Sequence, residues 1–500
     1  MAGTFWSIIP SVAVIAAGLI TKNVNFSLIV GIILGTGFMT GFRPFDMCEQ
    51  TFTMMAGKLQ SNFGILLFVV LLGMLGYLMN LTGATREYAN WASKKLKTKK
   101  RCLLATMLLG LLIFVDDYFN YLTVGTTMRP ITDRNRISRE KLSYIIDSTG
   151  APVCIIAPVS SWAAAVSASL PDGSTIDGFK LFLQTIPYNY YAWFSIAMIL
   201  ITILISLDFG KMYGYEVAAE NGSYEYTDTE DEGNNTHNGK TIDLVLPILV
   251  IVLTSIGMML YTGGFFSGAD ITSSFKNCDA ILSLAIASVV AVIFQAFLYL
   301  PRKIVTPSEF MDGLVIGFQN MVPAVLIFSL AWTFGAICGS SYMDTGGFVA
   351  SFVERYHIPV LIMPVSFFMV SLLLSFATGT SWGTFAIVLP IAVSVFRDQV
   401  SMDMVLTIAA LLGGSVCGDH LSPISDTTIL SSMGTKCKHL NHVVTQLPYG
   451  LLVAGISLVS YLVASCVHSG LAGLIFGFIL LICSSVVIKL YYRKKKTAKA

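Results

Sequence analysis

Four carboxylates lie in stretches that are otherwise apolar enough to cross a membrane. Asp419 and Asp426 belong to the string Gly418-Asp-His-Leu-Ser-Pro-Ile-Ser-Asp426-Thr427, where a glycine and a proline interrupt the helix between the two acids. Unwound backbone frees carbonyl oxygens, and Ser422 and Thr427 add hydroxyls. Oxygen ligands with one or two carboxylates are the donor set of a hard cation. A carboxylate in a low-dielectric surrounding gives up its charge unless a cation replaces the proton. One such group can therefore carry either ligand, which is the simplest chemistry of cation/proton exchange. The competing reading makes each acid an N-cap of a half-helix. Ionisable residues inside membranes mark functional sites by default, and this favours the first reading.

Asp116 and Asp117 form a second pair, within Phe114–Pro130. Neighbours diverge by about 100° on a helix, so the two acids do not share one ligand. Asp116 reads as the cap of a returning helical arm and Asp117 as the acid facing a cavity. Asn120 and Thr123 extend the polar face. Thr378, Thr380 and Ser381 cluster around Gly379 and Gly383; glycines permit tight turns with exposed amides and carbonyls, able to hold a substrate carboxylate or a cation. Trp382 either stacks over a substrate or has an interfacial or packing role. His420 is either a pH sensor, with a reference pKa of about 6.5, or a packed imidazole. Ser160 and Ser161 complete the set of candidate substrate ligands. Asp147 reads as a cap or a salt-bridge partner of the nearby basic loop. The sequence has no P-loop lysine, no G-x-S-x-G and no H-E-x-x-H, so ATP-driven and hydrolytic chemistry are not indicated.

The elements that position these residues are membrane spans. Apolar runs able to cross about 30 Å of hydrocarbon fall near 7–21, 26–42, 62–80, 189–207, 243–262, 280–300, 321–342, 445–466 and 470–491. The stretches 102–130, 142–168, 359–396 and 403–432 are apolar but carry the polar interruptions. Such backbone survives at membrane depth only where it is buried in protein or lines a wet cavity. Composition agrees. Of 500 residues, 55% are hydrophobic and 12% charged, and 31 Lys+Arg against 29 Asp+Glu leave a net charge of +2. Sixty charges cannot clothe a soluble particle of this size, and the balanced charge speaks against nucleic-acid binding. The nine cysteines form no C-x-x-C, so neither a zinc site nor a disulfide framework is indicated.

Basic clusters set the orientation. Arg493-Lys494-Lys495-Lys496 places the C-terminus in the cytoplasm. The runs 93–101 and 133–141 are both basic, and a single crossing at 102–130 would put them on opposite sides. A re-entrant hairpin with its tip at Asp116-Asp117 resolves the conflict, and 359–396 suits a hairpin entering from outside. The expected architecture is an all-α polytopic membrane protein of about 11 crossings, N-terminus outside, with two hairpins and two broken helices.

The halves also resemble each other. Leu81-Thr82-Gly83, Phe114–Pro130 and Ala157–Ser161 align with Asp344-Thr345-Gly346, Phe376–Pro390 and Ser422–Asp426 in the same order and at nearly constant spacing. Ser161 is then the repeat partner of Asp426. The expected organisation is a first repeat over 1–207, an acidic and flexible cytoplasmic linker over 208–242, a second, inverted repeat over 243–466, and an extra helix with a basic tail over 467–500. Inverted repeats with broken helices meeting near the midplane are typical of secondary transporters.

The strings at 418–432, 376–385 and 114–133 closely resemble the NhaC-type sodium/proton antiporters of bacteria, over roughly residues 60–470. The resemblance implies membership of a wider ion-transporter superfamily. It also implies a homodimer in the inner membrane, with a scaffold domain and a sliding, elevator-type transport domain. Members with these motifs also exchange carboxylates or amino acids with sodium or protons. The leading expectation is a secondary antiporter of Na+ for H+, not an enzyme. Asp419 and Asp426 would carry Na+ and the proton, with Thr378, Thr380, Ser381, Ser422 and Thr427 as ligands. Na+, H+ and lipid are its partners, with no cofactor and no nucleic acid. The alternative is a Na+- or H+-coupled exchanger of a dicarboxylate/lactate pair or an amino acid.

Overall fold

The computed structural model describes residues 3–497 apart from 22, 85–86, 88–95, 115, 171–173, 175, 225, 227–238, 271–272, 275–276, 340, 346, 349–350, 352–354, 356–358, 397–398 and 424. The side chains of 15, 18–19, 24, 119, 122, 168, 280, 324, 426 and 493–497 also lie outside the description. The acidic stretch 227–238 and the start of the basic run, 93–95, therefore go undescribed.

Among the described residues the chain is all helix, with no strand, as an all-α polytopic membrane protein requires. Among these described residues eight helices are long and apolar enough to cross a membrane, or up to ten if each of two bent pairs counts as one span. Burial separates centre from periphery: the spanning window of Met402–Leu421 is 100% buried, against 22% for Gly470–Tyr492. The outer helices present Leu253, Phe297, Ile479 and Val487 on the surface. These apolar faces suit hydrocarbon, which needs no polar cover.

The helices fall into two groups. In one, Phe63–Leu81 packs against Ala280–Tyr299 and Pro307–Cys338, with Phe5–Thr21, Val24–Thr40 and Ile242–Thr262 around them. The backbones of the first and third approach closely at Gly73 and Gly317: a Cβ on Gly317 would lie 2.4 Å from the Cα of Met74. The other group holds the interrupted elements. Lys99–Leu112 and Asp117–Arg134 form one packed hairpin, and Met363–Thr378 and Ser381–Val395 another. Arg139–Cys154 with Ser161–Ala168, and Met402–Leu421 with Asp426–Thr435, are the two broken helices. Tyr190–Leu204 and His439–Val467 brace them.

Small residues allow this centre to close. The first arm of the second hairpin lies along Met402–Leu421, where Cβ atoms on Gly414 and Gly418 would fall 2.4 Å from the carbonyl oxygen of Phe368 and 2.2 Å from that of Leu372. Backbone cannot yield as a side chain can. Gly414→Ala should therefore cost about 1–3 kcal/mol and lower the unfolding midpoint in detergent. Gly455→Ala, inside His439–Val467 where a Cβ meets nothing within 4 Å, should hold or raise the midpoint in the same thermal-shift measurement, since alanine favours the helix.

Three helices depart from the sequence expectations. Pro44–Ser61 follows Val24–Thr40 after a 118° bend, turning at Gly41 with φ 66°. Its mixed polarity hides it from a search for apolar runs. Pro307–Cys338 is 32 residues long, opened by a capping box of Thr306 and Glu309, and begins well before the expected 321. Lys211–Asn221 is a helix where a flexible linker was expected. Its Glu216 is 2% exposed and accepts hydrogen bonds from the backbone N–H (2.9 Å) and Oγ (2.6 Å) of Ser138. Lys99 closes the latch at 2.5 Å from Glu216 and 2.8 Å from Glu220. Burial works against the Lys99 charge, but the two carboxylates more than offset it and hold the ammonium above its ordinary value.

Candidate functional site

The first hairpin turns between Leu112 and Asp117. Asp116 precedes the returning arm, and its carbonyl accepts the Asn120 N–H at 3.1 Å. The Asn120 amide donates to the carbonyls of Gly110 and Ile113, both at 2.7 Å, so this side chain ties the two arms together. Thr123 points at Asn80 on Phe63–Leu81, at 3.4 Å. Asp117, the first residue of the returning arm and fully buried, faces inward. Its Oδ2 accepts the indole N–H of Trp162 at 3.2 Å and that of Trp382 at 3.4 Å. One carboxylate thus joins the first hairpin, the first broken helix and the tip of the second hairpin.

The other two breaks explain that convergence. Ser160 caps the short half-helix Ser161–Ala168, accepting from the Ala163 N–H and donating to the Cys154 carbonyl at 2.7 Å. Ser161 is buried, and its Oγ has no partner among the described residues. The second hairpin turns at Gly379, φ 70°. Thr378 donates back to the Leu374 carbonyl at 2.8 Å, and Thr380 caps the second arm, its Oγ1 accepting from Gly383. Ser381 Oγ is buried without a partner among the described residues. Trp382 is 2% exposed and packed in the centre. Trp162, Phe328 and Tyr118 rings lie 5.7, 5.2 and 6.3 Å away.

In the second broken helix the first half runs through Leu421, so buried Asp419 sits on its last turn rather than in unwound chain. The break is shorter than the sequence suggests, from Ser422 to Ser425, with residue 424 outside the description. The Ser422 N–H donates to the Asp419 carbonyl at 3.0 Å, and Ser425 caps the second half through the Thr428 N–H at 3.0 Å. The Thr427 hydroxyl is buried, 2.9 Å from that of Ser425. Asp426 opens the second half, with its side chain outside the description. His420 is buried, its Nδ1 3.1 Å from the Tyr191 hydroxyl.

Asp147 is not a salt-bridge partner of the basic loop. It is fully buried, and its Oδ2 meets Thr428 Oγ1 at 3.2 Å, His442 Nε2 at 3.3 Å and Gln446 Nε2 at 2.5 Å. Buried Tyr121, whose hydroxyl accepts the Ala151 N–H at 2.9 Å, lies within electrostatic reach of Asp117, Asp147 and Asp419 together. Sequence reasoning passed over Tyr121, Trp162, Tyr191, His442 and Gln446. For the last two a signal existed: they stand four apart, on one face of a helix, but the apolar run that marks the span begins at 445 and leaves His442 outside it.

Two hairpins and two interrupted helices that bury carboxylates where they meet define a polytopic α-helical membrane transporter. The chain belongs to the Na+/H+ antiporter family, whose sequence profile matches residues 2–175 and 172–466. A Haemophilus influenzae protein described as uncharacterized is 35% identical over 487 residues, 94% of this chain and 92% of that one. A malate-2H+/Na+-lactate antiporter of Bacillus subtilis is 30% identical over 167 residues, covering 33% and 34% of the two chains. The arginine/ornithine antiporter ArcD of Halobacterium salinarum is 35% identical over 160 residues, 32% of each. The crystal structure of the Alcanivorax borkumensis YdaH transporter covers 91% of this chain and 98% of its own, at 11% identity and a TM-score of 0.47. The family and the characterised relatives are antiporters rather than enzymes, and secondary antiport in a membrane is the class to which this chain belongs.

Proposed function

We propose that this protein exchanges Na+ for H+ across the bacterial inner membrane by an elevator-type movement of one helical group against the other. The observation that carries the reading is the convergence of buried Asp117, Asp147 and Asp419 on Tyr121. Three acids inside low dielectric call for cations or protons as compensating charge. In this reading Asp419 and Asp426 hold the transported ion, Asp117 and Asp116 belong to the same cation path, and Thr378, Thr380, Ser381, Ser422, Thr427 and His420 line it. Asn120, Thr123, Ser160 and Ser161 shape it from the first repeat. The two helical groups supply scaffold and carrier, the repeats are inverted, the crossings number about 11, and the unit is a homodimer.

A second reading, exchange of an organic substrate coupled to Na+ or H+, draws on the aromatic wall of Trp162, Trp382 and Tyr118 beside Asp117. It also draws on the organic substrates named for the B. subtilis and H. salinarum relatives. The test is reconstitution in liposomes with an internal pH dye. A Na+ gradient alone should move protons, whereas a strict requirement for malate, lactate or arginine would replace the first reading by the second.

The topology has its own test. In a background with the exposed Cys48, Cys466 and Cys483 replaced by serine, Lys97→Cys and Arg134→Cys should both react with an impermeant maleimide from the cytoplasmic side only. Labelling from opposite faces would mean that 102–130 crosses the membrane.

A further inference from the structure

The Asp147 cluster lies beside the expected ion path but is not explained by it. One oxygen of Asp147 takes three contacts, from Thr428, His442 and Gln446. The other, Oδ1, has no partner among the described residues, nor have His442 Nδ1 and Gln446 Oε1. All three side chains are at most 1% exposed. Each buried polar atom left without a partner costs about 1–3 kcal/mol, so three in one cluster mark a place built to receive something.

The hydrogen-bond pattern says what. Ser431 donates its hydroxyl to the Thr428 carbonyl at 3.0 Å, so its oxygen acts as an acceptor towards His442 Nε2, 3.1 Å away. Asp147 Oδ2 is an acceptor as well. With two acceptors on Nε2, the ring hydrogen sits there, and Nδ1 is left as a base. A proton arriving at Nδ1 makes an imidazolium held against a carboxylate, and converts a buried net negative charge into a neutral pair. Gln446 then bridges to the expected ion site: the Nε2 that touches Asp147 also donates to the His420 carbonyl at 2.9 Å, and His420 follows Asp419. The other titratable groups facing the pair are His420 on Met402–Leu421, Tyr121 on the first hairpin, which also lies near Asp117 and Asp419, and Tyr191 on Tyr190–Leu204. Asp426 opens the half-helix that supplies Thr428 and Ser431, and His439 lies on the same helix as His442.

We propose that Asp147 and His442 form a second, proton-only site, loaded in each transport cycle in addition to the site at Asp419. The proposal rests on the Na+/H+ reading above. If Asp419 exchanges one proton for one Na+, a second site raises the count above one proton per Na+.

The experiment is a null-point measurement in liposomes with the membrane potential clamped at zero by K+ and valinomycin. At two protons per Na+, a one-unit pH difference is balanced by about a hundredfold Na+ gradient, and losing one proton lowers that balance point about tenfold. Wild type should balance near the first value and His442→Gln near the second, with one titrating step gone from its pH profile. Asp147→Asn should behave as His442→Gln does. A wild-type ratio of one overturns the second site whatever the variants do, and so does an active His442→Gln with an unchanged balance point. A wild type that moves no protons with Na+ defeats the Na+/H+ reading itself, a distinct result.

Discussion

Asp419→Asn should abolish Na+-driven proton movement while leaving a folded, inserted protein. Asp419 is fully buried on the last turn of Met402–Leu421, among helices packed so closely that Gly418 has no room for a Cβ. Asparagine matches its shape, so packing survives. Replacing a buried carboxylate by a neutral amide also lowers a desolvation cost rather than adding one. What is lost is the charge that holds the cation. Breaking a buried charge pair costs about 3–5 kcal/mol, which is roughly two to four orders of magnitude in affinity. Flux at ordinary Na+ concentrations should then fall below detection by a pH dye, while size-exclusion profile and thermal midpoint stay near wild type. Near-normal exchange in this variant would make Asp419 structural and move the ion site towards Asp117. Asp147→Asn provides the contrast, since it is expected to change the proton count and leave exchange running.

Long apolar runs give away the spans because hydrocarbon leaves a helix no polar alternative. For that reason Phe63–Leu81, Ile242–Thr262 and Gly470–Thr497 are legible from composition alone. Charge bias and interruption together expose the hairpins. The failures have a common cause, which is polarity that tertiary contacts absorb. Pro44–Ser61 and Lys211–Asn221 are too polar to register as spans, yet Glu216 is held by Ser138 and Lys99, partners far away in sequence. His442 lies three residues past the start of a helix that the apolar pattern begins only at 445. Among the candidate ligands, type and spacing indicated polarity but not direction. Asn120 and Thr380 hold turns, Thr378 bonds back along its own helix, and Asp147 meets a His–Gln pair 295 and 299 residues away. That Asp116 and Asp117 take different directions could be argued beforehand because helix geometry forces neighbours apart. That Asp117 meets two tryptophans from separate elements could not, since nothing local relates residues 117, 162 and 382.

If one buried carboxylate alternately holds Na+ and H+, the two ligands exclude each other, and the proton concentration sets the apparent sodium affinity. The sign follows from occupancy. Above the pKa of the site the carboxylate is free, and the apparent KM for Na+ is independent of pH. Below it, each unit fall in pH multiplies the protonated fraction, so KM should rise about tenfold per unit. Maximum velocity should change much less, because saturating Na+ displaces the proton. The proton on Asp147 and His442 sits on other atoms, yet it counts in the exchange only if it leaves when Na+ binds, so below the pKa of both sites the wild-type slope should approach about a hundredfold per unit. His442→Gln should therefore return the slope to about tenfold as its balance point shifts, whereas Asp419→Asn should leave no slope to measure. An exchanger with separate sodium and organic sites behaves differently: its sodium KM would be nearly flat with pH, or lowered by the organic substrate through reciprocal coupling. Initial rates of Na+-driven proton flux at three or four pH values, with and without malate, lactate or arginine, separate the two. A flat KM without organic substrate, or flux only in its presence, would transfer the assignment from Na+/H+ exchange to organic-substrate antiport.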